Sequence, residues 1–192
     1  MNKYIYCIVF ISILNLTAVI GTWTDDYYWK DYDGTVPKDA LSGGIDERGR
    51  PIYLAQTLFE DKLIPGKVFA DENYMHFGWF DEKKSTQNIK ILCTQNPNNF
   101  EWISTRLNDI TRLTGKLVVI GGFQSGHITY IGRISSNRET NVGKVICNEK
   151  DCQGLYVTKD GREIHHTNVD LEVLSYRSDL AVSNANCINY DR

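Results

Sequence analysis

The sequence has no long hydrophobic run beyond its first twenty residues, so nothing later in the chain predicts a membrane span. It also has no run of basic residues, because 21 Lys and Arg are outnumbered by 24 Asp and Glu, for a net charge of −3. A mildly acidic chain without a basic patch argues against nucleic acid and anionic membranes as partners. We therefore expect no nucleic-acid binding and no membrane insertion by the protein itself.

Motifs for catalysis, cofactors and metals are missing as well. The chain contains no Ser-His-Asp order, nucleophile elbow, phosphate loop or zinc motif. The adjacent His165 and His166 would point to opposite faces of a strand and could not share a metal ion, and His76 and His127 are isolated. We therefore expect no enzymatic activity, no cofactor and no metal site.

The N-terminal segment has the order of a secretory signal peptide. A single positive charge at Lys3 precedes an apolar run over residues 6–14, and small or polar residues follow up to Gly21. The alternative is a membrane anchor, but the apolar region is slightly shorter than the roughly 20 residues of a spanning helix. The acidic pair Asp25-Asp26 follows instead of a basic cluster, which favours cleavage. The sequence predicts a secreted, extracellular protein.

Four cysteines would remain in the exported chain: Cys93, Cys147, Cys152 and Cys187. An even number in an oxidising compartment favours two disulfides. Three pairings are possible. The nearest pair, Cys147-Cys152, would lie across a turn and would leave Cys93 to join Cys187, although four buried free cysteines are an alternative.

The same landmarks occur twice along the chain in the same order and at nearly constant spacing. They are a glycine pair, a strand tyrosine and a Gly-Lys-Val sequence, found at Gly43-Gly44, Tyr53 and Gly66-Lys67-Val68 and again at Gly121-Gly122, Tyr130 and Gly143-Lys144-Val145. Agreement at three points indicates an internal repeat. The sequence predicts a signal peptide over residues 1–21, a first copy over 22–95, and a second copy with a C-terminal tail over 96–192.

Each copy is predicted to consist of short antiparallel strands. The segments between the landmarks are rich in Tyr, Val and Ile and are bounded by Gly, Asn and Asp. Asp160-Gly161 predicts a hairpin turn, and a short helical turn is expected within Asn108 to Thr114. Trp29 and Trp102 open the two copies and are expected to pack in the core. We therefore predict an all-β fold of two antiparallel β motifs packed with pseudo-twofold symmetry.

The combined order of motifs resembles that of a known family. The first copy reads Trp29, Pro37-Lys38-Asp39-Ala40, Gly43-Gly44-Ile45-Asp46, Tyr53 and Pro65-Gly66-Lys67-Val68, and the second reads Trp102, Gly121-Gly122, Tyr130-Ile131-Gly132-Arg133 and Gly143-Lys144-Val145. This order is similar to that of the tandem DM-nine repeat proteins, which include secreted mannose-binding lectins and the N-terminal lectin module of natterin-like proteins. The resemblance covers nearly all of the chain after residue 21.

The resemblance implies a mannose site formed by the aspartate of the glycine motif and the lysine of Pro-Gly-Lys, which here are Asp46 and Lys67. The two residues are expected on two loops of one copy, held by glycines that permit tight turns. The corresponding residues of the second copy are Gln124 and Lys144. A carboxylate that accepts hydrogen bonds and an ammonium that donates them can bind a pair of sugar hydroxyls. The alternatives are an ordinary turn aspartate at Asp46 and a solvated surface lysine at Lys67.

The expected function is binding of mannose-like glycans in defence or surface recognition, without catalysis, and a homodimer is an expected form of the protein. We expect the first copy to bind more tightly, because a charged acceptor makes stronger hydrogen bonds than the neutral amide of Gln124. The alternative is a secreted structural or interaction protein that has kept the fold and lost sugar binding. Gln56 in place of the family's strand arginine, together with Gln124, favours that alternative.

Overall fold

The structure, a computed structural model, describes residues 27–136 and 138–177. The strands are β1 Tyr27–Asp31, β2 Ser42–Ile45, β3 Pro51–Phe59, β4 Lys62–Phe69, β5 Met75–Trp79, β6 Asp81–Ser85, β7 Ile89–Thr94, β8 Phe100–Arg106, β9 Leu117–Val118, β10 Ile120–Gln124, β11 His127–Ser136, β12 Glu139–Cys147, β13 Cys152–Lys159, β14 Arg162–His166 and β15 Asp170–Tyr176. Two 3₁₀ turns span Pro97–Asn99 and Leu107–Arg112. No helix in the described ranges is long and apolar enough to cross a membrane.

The two copies repeat one antiparallel arrangement. In the first copy the strands lie in the order β1-β7-β3-β4-β5-β6, with β2 on β3, and in the second they lie in the order β8-β15-β11-β12-β13-β14, with β10 on β11. Their registers correspond, since Tyr53 pairs with Val68 and Tyr130 pairs with Val145. The predicted all-β fold of two antiparallel motifs related by a pseudo-twofold axis is confirmed.

The glycine strand of each copy packs against the lysine strand of the other copy. A Cβ atom on Gly122 would lie 1.9 Å from the carbonyl oxygen of Leu63 on β4. At the corresponding position, a Cβ atom on Gly44 would lie 2.8 Å from the carbonyl oxygen of Thr140 on β12. The repeated glycine pair therefore allows two backbones to approach closely, and it joins the copies in a reciprocal way.

The hydrophobic core has a shared central part and one outer part in each copy. The central cluster takes four residues from each copy: Leu41, Ile52, Leu54, Leu92, Val119, Ile131, Val142 and Leu174. Trp29 and Trp102 pack against this cluster, as predicted. Phe77 is buried in the outer cluster of the first copy and Leu155 in that of the second. Because the central cluster draws equally on both copies, its burial requires both.

The predicted disulfide Cys147-Cys152 is present and links the end of β12 to the start of β13. Cys93 is fully buried on β7, and its predicted partner Cys187 lies outside the described residues, so that pairing stays a prediction. The predicted signal peptide over residues 1–21 also lies outside the described residues.

Two local expectations need correction. The helical turn expected within Asn108 to Thr114 is a 3₁₀ turn that begins at Leu107 and ends at Arg112. Lys67 of the first Gly-Lys-Val sequence was expected on a loop, but this sequence and its counterpart in the second copy lie inside β4 and β12. Asp160 and Gly161 connect β13 to β14, which agrees with the predicted hairpin.

Candidate functional site

An open pocket of about 530 Å³ lies where the two copies meet. Its walls come from the β2–β3 loop, β4, β5 and β6 of the first copy and from β12 and β13 of the second. Its polar lining includes Asp46, Lys67, His76, Glu82, Asn141 and Lys159. The pocket therefore offers fixed hydrogen-bond donors and acceptors of both charges, and it contains the two residues predicted for the first site.

Lys67 lies in the middle of β4 and is 4% exposed. Its ammonium donates hydrogen bonds to the carbonyl oxygen of Thr158 at 2.6 Å and to Oδ1 of Asn141 at 3.3 Å, both in the second copy. Burial lowers the pKa of Lys67, and the nearby Glu82 and Glu139 act in the opposite direction. Two of the three N–H donors of the ammonium are thus bound to groups of the second copy.

The expectation that Lys67 lies on a loop, or is a solvated surface lysine, is wrong. The neighbouring glycine indicated a turn, but Gly66 serves a different purpose. A Cβ atom at Gly66 would lie 2.1 Å from the carbonyl oxygen of His76 on β5. The glycine lets β5 approach β4, and Lys67 is therefore held in a strand and directed towards the other copy.

Asp46 lies in the β2–β3 loop, where its side chain is 13% exposed. Oδ1 accepts hydrogen bonds from the backbone N–H groups of Arg48 at 2.9 Å and Arg50 at 2.8 Å. Oδ2 accepts from Nε and Nη2 of Arg50, both at 2.7 Å, and Arg50 also pairs with Asp71. Desolvation acts to raise the pKa of Asp46, but these hydrogen bonds hold it below its usual value. Asp46 thus both shapes the loop and borders the pocket.

A chain of charged groups that no sequence motif indicates lies beside Lys67. His76 pairs with Lys67 across β4 and β5, and its ring nitrogens lie 2.6 Å from Oε2 of Glu72 and 2.8 Å from Oε1 of Glu82. Because carboxylates only accept, both contacts are hydrogen bonds when the imidazole carries both protons. The hydrogen bond from His76 is the main reason why the pKa of Glu82 falls to about 2.

The second copy supplies the other wall of the pocket. Nδ2 of Asn141 donates to Oε1 of Glu139 at 3.1 Å, and Lys159 pairs with the same carboxylate. Lys159 also reaches Glu47 of the first copy at 2.8 Å. The sequence motifs place each site within a single copy, whereas in the structure the second copy completes the first site. The internal repeat could have indicated these residues of the second copy, because reciprocal packing of two copies brings their lysine strands together.

Lys144 is the counterpart of Lys67 and is 3% exposed on β12. Its ammonium donates to the carbonyl oxygen of Gly78 at 2.7 Å and pairs with Oε1 of Glu163 at 3.2 Å. It also lies 5.3 Å from the ring centroid of Trp79 and 5.6 Å from that of Tyr156. Burial lowers the pKa of Lys144, and Glu163 opposes the shift. Carboxylate, carbonyl and aromatic groups thus surround this lysine.

Gln124 ends β10, directly before the tight turn at Ser125 and Gly126. Its Oε1 is buried without a hydrogen-bond partner. Gln124 therefore does not reproduce the arrangement at Asp46, in which a carboxylate binds the backbone and an arginine.

A family model supports the repeat independently of the geometry. The model described as the DM9 repeat matches residues 19–86 and again residues 59–166. The chain belongs to the DM9 repeat family. No curated protein matches this sequence.

Among solved structures, this DM9 repeat protein is similar to the nematode sperm cell motility protein MFP2B, with a TM-score of 0.55 and 10% sequence identity. The match covers 80% of this chain and 45% of that chain, so the DM9 repeat protein spans less than half of the MFP2B chain. At this identity the likeness concerns the fold alone.

Proposed function

We propose that this DM9 repeat protein is a secreted carbohydrate-binding protein that holds a mannose-type hexose in the pocket between its copies. The observation that carries the proposal is the position of the Lys67 ammonium. It is fixed by two hydrogen bonds to the second copy, and it faces a pocket whose walls also carry Asp46, Glu82 and Glu139.

The pocket suits vicinal hydroxyls, because each hydroxyl can donate one hydrogen bond and accept others. Lys67 would donate to one hydroxyl oxygen, and a carboxylate of Asp46 or Glu139 would accept from its neighbour. Charge-assisted hydrogen bonds of this kind contribute about 1.5–3 kcal/mol each. His76 and Asn141 stabilise the carboxylates and the ammonium, so the groups would need little rearrangement when the ligand binds.

The predicted signal peptide and the membership in the DM9 repeat family support a role in recognition outside the cell, in defence or at surfaces. We propose binding without catalysis. A few hydrogen bonds in an open, wet pocket give weak affinity, near millimolar per site. Homodimerisation would raise the avidity for glycans that present several copies of the same sugar.

The test is a calorimetric titration of the exported protein with methyl α-mannoside. We expect Lys67→Met and Asp46→Ala to weaken binding at least tenfold, because each removes a charged partner of the sugar. Lys83→Met is the matched control, since Lys83 is exposed on β6 and does not line the pocket. If both pocket variants keep the fold and bind the mannoside with unchanged affinity, the pocket is not the sugar site.

One observation favours the second candidate, a secreted structural or interaction protein without a sugar site. Both oxygens of Asp46 are already engaged by Arg48 and Arg50, so the carboxylate is at least partly occupied. The same titration separates the two functions. A structural protein would show no saturable heat with the mannoside and no difference between the wild-type chain and its pocket variants.

A further inference from the structure

The pocket that contains Lys67 carries more negative than positive charge. Its lining has seven carboxylates against four lysine and arginine side chains, and His76 adds a fifth positive group when its imidazole is protonated. The lining is therefore net negative in either protonation state of the histidine. A cleft lined mainly by one sign of charge attracts ligands of the opposite sign. This charge bears on which sugar the pocket prefers, because the hydroxyls that the pocket can bind are themselves neutral.

The excess of negative charge arises because three pairs of carboxylates in the lining each share one basic side chain. The three sets are Arg50 with Asp46 and Asp71, Lys159 with Glu47 and Glu139, and His76 with Glu72 and Glu82. A single positive charge balances only half of the charge of two carboxylates. Each set therefore keeps a net negative charge inside the pocket.

The charges are distributed unequally between the floor and the rim of the pocket. Lys67 is 4% exposed and lies at the floor, where it is bonded to the second copy. The carboxylates of Glu47, Asp71 and Asp160 are exposed at the rim. Arg48 is an exposed basic residue of the same rim. Three carboxylates against this one guanidinium leave the rim negative above a positive floor.

Asp160 is the rim carboxylate with the most capacity for a ligand. It lies in the two-residue turn between β13 and β14, where Lys159 pairs with Arg162. The other six carboxylates of the lining each accept a hydrogen bond or join an ion pair, whereas Asp160 does neither within residues 27–136 and 138–177. Its charge nevertheless acts on the floor, because burial lowers the pKa of Lys67 and Asp160 is one of the carboxylates that oppose this shift. Asp160 thus faces the pocket with its acceptors unused.

We propose that the Lys67 pocket prefers a hexoside that carries an ammonium group to a neutral one, and a neutral one to a sugar acid, with Asp160 as the residue that meets the ammonium. The inference rests on the proposed function, since the hydroxyls of the same sugar are taken to bind at Lys67. An ammonium at the rim would donate a charge-assisted hydrogen bond to the Asp160 carboxylate. A sugar carboxylate at the same place would face like charges, which disfavours its binding.

The test compares three methyl α-mannosides that differ only at carbon 6, where they carry a hydroxyl, an ammonium or a carboxylate. At pH 7 an alkyl amine and a carboxylic acid are both charged. In calorimetric titrations of the full exported chain at low salt, we expect the amino sugar to bind about fivefold more tightly than the hydroxyl sugar, and the sugar acid about fivefold more weakly. Both differences should disappear in 1 M salt, where the screening length is about 3 Å.

Asp160→Asn tests the residue without disturbing its turn. Asp160 and Gly161 have φ angles of 52° and 78°, and Asn-Gly is as well suited to such a turn as Asp-Gly. We expect this variant to bind the hydroxyl sugar as the wild-type chain does and to reduce the preference for the amino sugar to about twofold. Asp109→Asn is the matched control, because Asp109 is an exposed carboxylate of the second 3₁₀ turn and does not line the pocket.

Every outcome of these titrations bears on the inference. Equal affinity for the three sugars, or tightest binding of the sugar acid, would overturn it and leave the proposed function standing. A preference for the amino sugar that is as strong in Asp160→Asn as in the wild-type chain would overturn it as well. If none of the three sugars binds, the proposed function fails together with it. A preference that salt removes and that Asp160→Asn weakens, while Asp109→Asn does not, supports it, because a purely structural role would not distinguish sugars by charge.

Discussion

The two buried lysines should differ in what they do for the molecule, and replacing each by methionine tests this. Methionine keeps the length of the side chain and removes the charge. Lys67→Met leaves the buried carbonyl oxygen of Thr158 without its donor, which costs about 1–3 kcal/mol. Lys144→Met leaves the carbonyl oxygen of Gly78 and also the charge of Glu163 unpaired, and breaking a buried ion pair costs about 3–5 kcal/mol.

Sugar affinity should show the opposite order. Lys67→Met removes a charge-assisted hydrogen bond to the mannoside and should weaken its binding about ten- to a hundredfold. Lys144→Met should change mannoside binding little. Urea unfolding followed by tryptophan fluorescence gives the stabilities, and calorimetry below the unfolding transition gives the affinities. Greater destabilisation by Lys67→Met, or greater loss of mannoside binding in Lys144→Met at equal folded fraction, would refute the assignment of roles.

Three further predictions concern the fold. Cys147→Ser should lower the free energy of unfolding by about 2 kcal/mol, the loop-closure value for the short loop closed with Cys152, and an unchanged urea midpoint would contradict it. The free energy of unfolding should fall as pH drops from about 4.5 to about 2, because folding lowers the pKa of Glu82. The ionised carboxylate contributes its full stabilisation above the unfolded-state pKa of 4.5, and Glu82→Gln should flatten the acid limb of the profile of stability against pH. Gly122→Ala should abolish folding or cost more than 3 kcal/mol, since its Cβ would meet the backbone of β4, while Gly126→Ala, with open space around it and φ of 77°, should cost about 1 kcal/mol in thermal melts.

The fold could be predicted from the sequence because its constraints recur. A glycine pair and a strand tyrosine occur once in each copy, at Gly44 and Tyr53 and again at Gly122 and Tyr130. A strand arrangement that accommodates these residues in one copy therefore also accommodates them in the other. The function of individual glycines was less evident. A glycine beside Lys67 is compatible with a turn or with a close approach between strands, and only the neighbouring strand decides between them.

The site could be predicted only in part. Asp46 and Lys67 were found through the family resemblance, and they do line one pocket. His76, Glu82 and Asn141 carry no local pattern, because their relation to Lys67 is set by strand pairing and by contact with the second copy. Asn141 is 74 residues from Lys67 along the chain, a separation at which sequence spacing gives no information about contact.

The hydrogen bond from Lys67 to Thr158 spans 91 residues of sequence, which has a consequence for how the chain acquires its structure. Contacts of such long range form late and slow folding, because loop-closure entropy is lost before they contribute. At a synthesis rate of about 5–20 residues per second, the β4 strand emerges on the order of ten seconds before its partner in β13. Throughout that interval Lys67 in the nascent first copy lacks its acceptor Thr158, and the glycine strand β2 lacks β12, against which it packs. A fragment that ends at residue 95 would remain in that condition permanently.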